Sequence, residues 1–347
     1  MNDRENFDVI AFSYSNAGND DLIRKKLICT FDQFIDVENK SDIEIAKLSR
    51  EMEIDIAIDL GGHTEGARTG VFSYRAAPIQ VNYLGYPGTM GSGYMDYIIA
   101  DRIVIPKSSL SYYAEKIAYL PDTYMVDDSK RKIGEKKFSK ESFGLPSNGF
   151  IFCSFNNSYK FNQKLLGRWA KIILNVPDSV LWISENNQSF RNNILTEFQN
   201  MGIGAKRIIF AKRLEFESDH LARYQLADLF LDTSPYNAHT TAIDALRAGL
   251  PIVTLLGEAF PGRVAASILN AVGLQSLITR AWDEYESLAI KLATHPKELK
   301  ELKTQLQTNI STKPLFNTTL FTQNIEAAYL KMYQRYQMGL SPDHIGL

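Results

Sequence analysis

Short apolar, β-prone runs alternate with stretches whose apolar positions recur at helical spacing along most of the chain. FDVIAFSYS (7–15) reads as a strand, 19–28 as a helix, FIDV as a strand and 41–52 as a helix, followed by strands at DIAIDL (55–60) and IQVNYL (79–84). This alternation predicts βαβ units built on a mostly parallel sheet. A polar, lysine-rich stretch, DDSKRKIGEKKFSKE (127–141), interrupts the pattern, which restarts beyond Gly144-Leu145-Pro146. The second series predicts strands at 150–156, 180–184, 207–212, 229–233 and 251–256, with helices from about 163 and over 188–201, 216–225 and 240–248. Several of its strands are apolar throughout, as a sheet covered by helices on both faces requires. A final helix at 317–338 lines up Leu320, Phe321, Ile325, Ala328, Tyr329, Met332 and Tyr336 on one stripe. The expected division is therefore a first α/β domain (1–143), a second (144–316) and a C-terminal helical segment (317–347) packing back on them.

Two consecutive doubly wound domains are expected to leave a cleft, with ligands outside the carboxyl ends of the strands. Chemistry should then sit in the strand-to-helix loops. In LDTSPYNAHTTAIDALRAGLPIV an apolar strand ends at Asp232 and a helix begins near His239, Thr240 and Thr241. A helix start presents unpaired N–H groups and a positive partial charge, which suits a diphosphate. Asp244 follows on the same face, where a carboxylate can accept the hydroxyls of a ribose. The residues alone equally allow Thr240 to be an N-cap and Asp244 a solvated first-turn acid. The loop FNNSYKFNQK presents Asn157, Tyr159 and Lys160 at the same end of the sheet, Lys160 being either a counter-charge for a leaving diphosphate or an ordinary loop lysine. His220 and Arg223 fall one turn apart in EFESDHLARYQLADLFLDT, where they either stack on a flat base or serve as a surface histidine and an Asp219–Arg223 pair. In the first half, Gly61-Gly62-His63-Thr64 and Gly85-Tyr86-Pro87-Gly88-Thr89 form tight loops, with His63 a candidate to touch an acceptor or phosphate.

Composition narrows the classes. The 347 residues carry a formal net charge of -2 and a pI near 6.3, leaving no positive excess for a polyanion, so nucleic acid is not an expected partner. Cys29 and Cys153 both lie in apolar stretches outside any metal-binding spacing and read as buried thiols of a reducing cytoplasm. Neither a signal peptide nor a membrane span is legible, which points to a cytoplasmic protein away from the membrane.

Taken together, DIAIDLGGHTEGAR, RAAPIQVNYLGYPGTMG, MDYIIAD, EKIAYLPDTY, FNNSYKFNQ, VPDSVLWI, QLADLFLDTSPYNAHTTAIDALRAGLPIVT, PGRVAAS and PLFN resemble, in order, the catalytic region of the O-linked N-acetylglucosamine transferases, including their SPINDLY-type members. The resemblance covers essentially the whole chain. It implies two Rossmann-like domains of the glycosyltransferase B type and a UDP-N-acetylglucosamine donor held mainly by the second. It also implies inverting transfer to serine or threonine hydroxyls of acceptor proteins without metal or other cofactor. By position, His239, Thr240 and Thr241 look like the diphosphate turn, Asp244 the ribose ligand, Lys160 the diphosphate-neutralising lysine and Asn157 its neighbour. His220 and Arg223 look like the base-and-ribose pair, and Glu215, Phe216 and Glu217 the lining of the uracil; Glu217 stands where one branch carries lysine. Lys160 and His63 are the catalytic candidates. Family members carry a further strand and helix before the segment resembling NFDVIAFSYS, so the first domain is expected to lack one βα unit. The alternative is a UDP-sugar-binding remnant, or a fragment of a longer transferase.

Overall fold

The computed structural model describes residues 2–14 and 21–347. The chain forms two compact units, one made of Met1–Arg102, Pro106–Tyr124 and Thr319–Leu347, the other of Ile103–Ile105 and Met125–Thr318. In the first unit, β1 (Ile10–Ser13), α1 (Leu22–Ile28), β2 (Gln33–Asp36) and α2 (Asp42–Glu51) precede β3 (Ile56–Asp59), the short α3 (Gly70–Ser73), β4 (Ile79–Asn82), β5 (Tyr97–Ala100) and β6 (Lys116–Tyr119). Ser15 of the predicted first strand and residues 19 and 20 of the predicted first helix lie outside the described residues. β1 and β2 pair in parallel, and Phe12 and Ile35 pack with Val37, Ile45 and Ala46. β3 to β6 run in chain order through one parallel sheet, so their succession never reverses. α2 starts at a capping box, in which the Glu44 carboxylate accepts from the Ser41 backbone N–H and hydroxyl at 2.7 and 2.6 Å.

The second unit holds β7 (Ile151–Ser154), α4 (Gln163–Asn175), β8 (Val180–Ser184), α5 (Gln188–Asn200), β9 (Ile208–Ala211), α6 (Glu217–Arg223), β10 (Leu229–Leu231), α7 (Thr240–Arg247), β11 (Ile252–Leu255), α8 (Val264–Ala271), β12 (Ile278–Thr279), α9 (Trp282–Thr294) and α10 (Pro296–Thr312). Its six strands are parallel in the order β9-β8-β7-β10-β11-β12. That is the doubly wound order, in which the chain leaves the first strand in one direction, returns and continues in the other. The reversal point lies between β7 and β10. Both strands are wholly buried, which explains the continuous apolar runs. Trp182 on β8 is fully buried against the rings of Phe143 and Phe155; truncating such a side chain costs about 3–5 kcal/mol.

α11 (Thr318–Gln337) and β13 (Ile345–Gly346) return the chain to the first unit, where β13 pairs with β6 and Ile117 N–H donates to the His344 ring at 2.9 Å. The predicted stripe on α11 buries Ala328 and Met332, but Tyr336 at its end is 47% exposed.

Two further expectations are corrected. Segment 125–143 clusters with the second unit rather than the first. Its backbone is tied down: Arg247 on α7 pairs with Asp127 and donates to the carbonyls of Asp128 and Arg131 at 2.8 and 3.0 Å, and Gly134 N–H donates to Ser218 O at 2.9 Å. A lysine-rich exterior hides an anchored interior. Cys29, expected to be buried, is exposed at the C-terminal cap of α1, whereas Cys153 on β7 is buried.

Candidate nucleotide site

β7 and β10 end side by side, and the loops that follow them, 155–162 and 232–239, carry most of the candidate residues. Asp232 organises the second loop. It is 1% exposed, and its Oδ1 accepts from Thr233 N–H and Ala238 N–H at 2.7 and 2.6 Å while its Oδ2 accepts from the Thr254 hydroxyl of β11 at 2.6 Å. Burial nevertheless raises its carboxyl to about 6, against the pull of those bonds and of Lys160. Thr233 Oγ1 donates to Tyr236 O at 2.6 Å and Asn237 Nδ2 to Thr233 O at 2.9 Å, so the loop is closed on itself. Asn162 joins the two loops: its Oδ1 caps α4 by accepting Leu165 N–H at 3.0 Å, and its Nδ2 donates to Ser234 O at 2.8 Å.

Lys160 lies inside this frame. Its ammonium donates to Asn237 O at 2.7 Å, sits 3.4 Å from Asn156 Oδ1 and lies 4.4 Å from the centre of the Tyr236 ring. With 8% of its surface exposed it is not an ordinary loop lysine. Burial lowers it to about 8, with Asp232 pulling the other way; at pH 7 the charged form still leads by roughly ten to one. His239 stacks on the same Tyr236 ring, 4.8 Å between centroids, and its Nε2 lies 3.2 Å from Pro261 O. A carbonyl only accepts, so Nε2 carries the proton and Nδ1 the lone pair. Burial, then Lys160, lowers this imidazole to about 4, so it is neutral at pH 7. α7 starts directly after it, with Thr240 exposed and Thr241 half-buried. Ala242 N–H in that first turn already donates to His239 O at 2.9 Å; the N–H groups of Thr240 and Thr241 precede any intrahelical acceptor, and with the Lys160 charge they make a cradle for an anion.

A second cluster surrounds Asp244 on α7. Arg131 donates from Nη1 to Asp244 Oδ1 at 2.6 Å and pairs through Nη2 with Glu217. Asp244 Oδ2 faces His220 Nε2 at 4.0 Å, beyond hydrogen-bond reach. Burial raises the Asp244 carboxyl and Arg131 opposes that rise. His220 packs edge-on to Tyr224 at 5.1 Å and against Phe155 at 5.8 Å; burial, then the charges of Arg223 and Arg131, lowers it to about 3. Arg223 is 3% exposed, donates to Lys212 O at 2.6 Å and lies 4.4 Å from the Phe155 ring centre. The flat group it stacks on is thus a side chain of this unit, and Asp219 lies near Lys136, at 3.7 Å, rather than forming the pair considered with Arg223. Asn157, Glu215, Phe216 and Glu217 are exposed along the rim, Phe216 by 59%.

His63 belongs to the first unit. It is exposed, its Nε2 3.2 Å from Met90 O and its ring edge-on to Tyr86 at 5.1 Å. The two glycine loops therefore meet there. Gly62 has φ +59°, and a Cβ on it would fall 2.4 Å from that of Tyr86; one on Gly85 would fall 2.0 Å from Leu60 O. Only glycine fits.

The sequence reading missed Asp232 as an organiser, Asn162 as a clamp and Arg131 altogether. The first two carried a signal: an acid ending an apolar strand, and an asparagine at a helix start. Arg131 lay hidden among lysines.

A doubly wound parallel sheet whose loops gather Lys160 and a helix start at the reversal point has the architecture in which α/β folds bind their ligands. The model of glycosyl transferase family 41 matches residues 1–139 and 136–325, and the chain belongs to that family. SEC of Arabidopsis thaliana, named a probable UDP-N-acetylglucosamine:peptide N-acetylglucosaminyltransferase, is 36% identical over 350 residues, 99% of this chain and 36% of that protein. The similarly named SPINDLY of Petunia hybrida is 34% identical over 311 residues, 88% of this chain and 33% of that protein. The chain thus spans about a third of these curated relatives. Among solved structures, a mutant O-GlcNAc transferase of Thermobaculum terrenum superposes with a TM-score of 0.86 at 28% identity, over 96% of this chain and 62% of that one. HepE of Anabaena, in a complex with UDP and glucose, shares the fold with a TM-score of 0.60 at 12% identity, over 93% of this chain and 91% of its own. The α/β fold with parallel sheets is that of the B-type glycosyltransferases. Among the described residues no helix is long and apolar enough to cross a membrane.

Proposed function

We propose that the chain binds a UDP-sugar at the carboxyl ends of β7 and β10 and transfers the sugar, N-acetylglucosamine by analogy with its relatives, to serine or threonine hydroxyls of cytoplasmic proteins. The observation that carries this reading is the buried Lys160 ammonium beside the open first turn of α7, at the reversal point of the sheet. The diphosphate lies between Lys160 and the His239–Thr241 turn, and Asp244 accepts from the ribose. The uracil lies by His220 and the backbone of Glu215, Phe216 and Glu217, with Arg223 bracing Phe155 behind it and Asn157 at the rim. The acceptor hydroxyl attacks the anomeric carbon as the bond to the β-phosphate oxygen breaks, with inversion. Lys160 and the helix terminus stabilise the charge that grows on the departing UDP, in place of a metal ion. The lone pair on His63 Nδ1 is the candidate acceptor of the hydroxyl proton.

Radiolabelled UDP-N-acetylglucosamine offered to a mixed protein extract, with and without EDTA, tests this. Label transferred to protein despite chelation is the expected result. Donor binding without transfer would instead favour a UDP-sugar-binding part of a longer transferase. Strict dependence on Mg²⁺ or Mn²⁺, or no donor binding, overturns the proposal.

A further inference from the structure

Arg131 belongs to none of the elements that the sequence marks as a site, yet its guanidinium touches three carboxylates of the second unit: Asp244, Glu217 and, at 3.5 Å, Asp127. Its own position is fixed from behind, because Arg247 binds both its carbonyl, at 3.0 Å, and Asp127. The side chain is mostly buried, as is that of Asp244, with 19% and 14% of their surfaces exposed. An arginine so placed spends its donors on Asp244 Oδ1 and leaves Oδ2, the oxygen facing His220, as the acceptor for a ligand hydroxyl.

We propose that Arg131 is a positioning residue for the nucleotide: it holds Asp244 ionised and in one orientation, so that Oδ2 receives the ribose hydroxyls of the donor. This rests on the reading of Asp244 as the ribose ligand. The charge balance around Asp244 explains why a dedicated cation is needed. Burial disfavours its charged form, and Asp127 and Glu217 add to that. His220, from α6, is neutral, and Tyr224 behind it is a buried phenol whose hydroxyl has no partner. Arg223 on the same helix is turned away to the Lys212 carbonyl. Arg131 is the cation in direct contact with Asp244, and it is raised, not lowered: burial works against its charge, but Asp244, Asp127 and Glu217 outweigh it. Glu217 then acts as a second anchor that holds the guanidinium from the exposed side.

Calorimetric binding of UDP-N-acetylglucosamine between pH 5.5 and 8 tests the idea, because a diphosphate esterified at both ends does not titrate in that range as the terminal phosphate of UDP does. Wild type should follow only the titration of Lys160, at about 8, and of Asp232, at about 6, and each variant is read as its ratio to that profile. Arg131→Met should bind about tenfold more weakly than wild type at pH 8, and the deficit should grow as pH falls, since Asp244 without its cation protonates at higher pH. Arg131→Lys should keep most of the wild-type profile. In an Asp244→Asn background, Arg131→Met should cause no further loss and no added pH dependence. Thermal melting of each variant separates these effects from misfolding. Equal affinity and pH profile in wild type and Arg131→Met, tighter binding by Arg131→Met, or an undiminished loss in the Asp244→Asn background overturns the proposal. Failure of the wild type to bind the donor would instead overturn the nucleotide reading itself.

Discussion

Each unit has a strand with an aspartate at its end (Asp59 of β3) or just beyond it (Asp232 after β10), followed by a loop carrying His-Thr, and the two loops are built by opposite means. After β10, Asp232 spends both oxygens on three donors, and a buried lysine, a stacked tyrosine and a neutral histidine share the space. After β3, Asp59 uses one oxygen to accept from Gly61 and Gly62 N–H at 2.8 and 3.0 Å, while its buried Oδ2 has no partner. There the shape comes from glycine backbone rather than side-chain bonds, and His63 stands exposed. The topology differs likewise: the second sheet reverses its winding beside β7, whereas β3 to β6 advance in one direction. Of the two loops, the second is the one in which converging donors are held against the cost of burial, here around the Asp232 carboxylate. The glycine loop is shaped by close contacts within the protein, Gly62 against Tyr86 and Gly85 against the Leu60 carbonyl.

The sharpest way to break this contrast is to remove the two aspartates. Asp232→Ala strands three donors and removes a charge partner of Lys160, so the second unit should lose about 3–5 kcal/mol; Asp59→Ala should cost about 1–2 kcal/mol. All three tryptophans, Trp169, Trp182 and Trp282, lie in the second unit, so urea unfolding followed by their fluorescence should shift for Asp232→Ala and hardly for Asp59→Ala. Equal shifts would erase the distinction. Next in size is a pH effect. His239 is lowered to about 4 by burial, so between pH 4 and 6.5 the folded state binds a proton less than the unfolded state at this site, and stability is lost as pH falls. His239→Gln should therefore lose less stability than wild type on acidification, by up to about 1.4 kcal/mol per pH unit; parallel urea-midpoint curves for the two proteins would show that the imidazole is not held neutral. The smallest effect on binding belongs to the glycine loop: His63→Ala should change UDP affinity by less than about 0.5 kcal/mol, while transfer falls on the order of a hundredfold. A matched loss of UDP affinity would place His63 in the donor site.

The alternation of strands and helices made the α/β architecture legible, because fully buried parallel strands must be apolar throughout and their helices must be striped. Lys160 and the turn before α7 could be singled out on the same grounds: they follow apolar strands, where a doubly wound sheet binds its ligands. What escaped was set by long-range contacts. Arg131 lies 113 residues from its partner Asp244, and nothing local distinguishes it from Lys130 or Lys132. The domain edge moved because Asp127 and the carbonyls behind it serve Arg247, a bond that polar composition cannot announce. Arg223 showed the converse: a guanidinium one turn from a histidine suggested a ligand contact, whereas in the fold it braces an aromatic core.

The central claim is that a buried lysine at the reversal point of the second sheet does the work of a metal ion for a bound diphosphate. Calorimetric titration of UDP into wild type and Lys160→Ala, each with and without EDTA, measures it most directly. Micromolar binding indifferent to chelation in the wild type, weakened by about 1.5–3 kcal/mol in the variant, is the predicted result. Binding abolished by EDTA, or equal affinity in the two proteins, would contradict it.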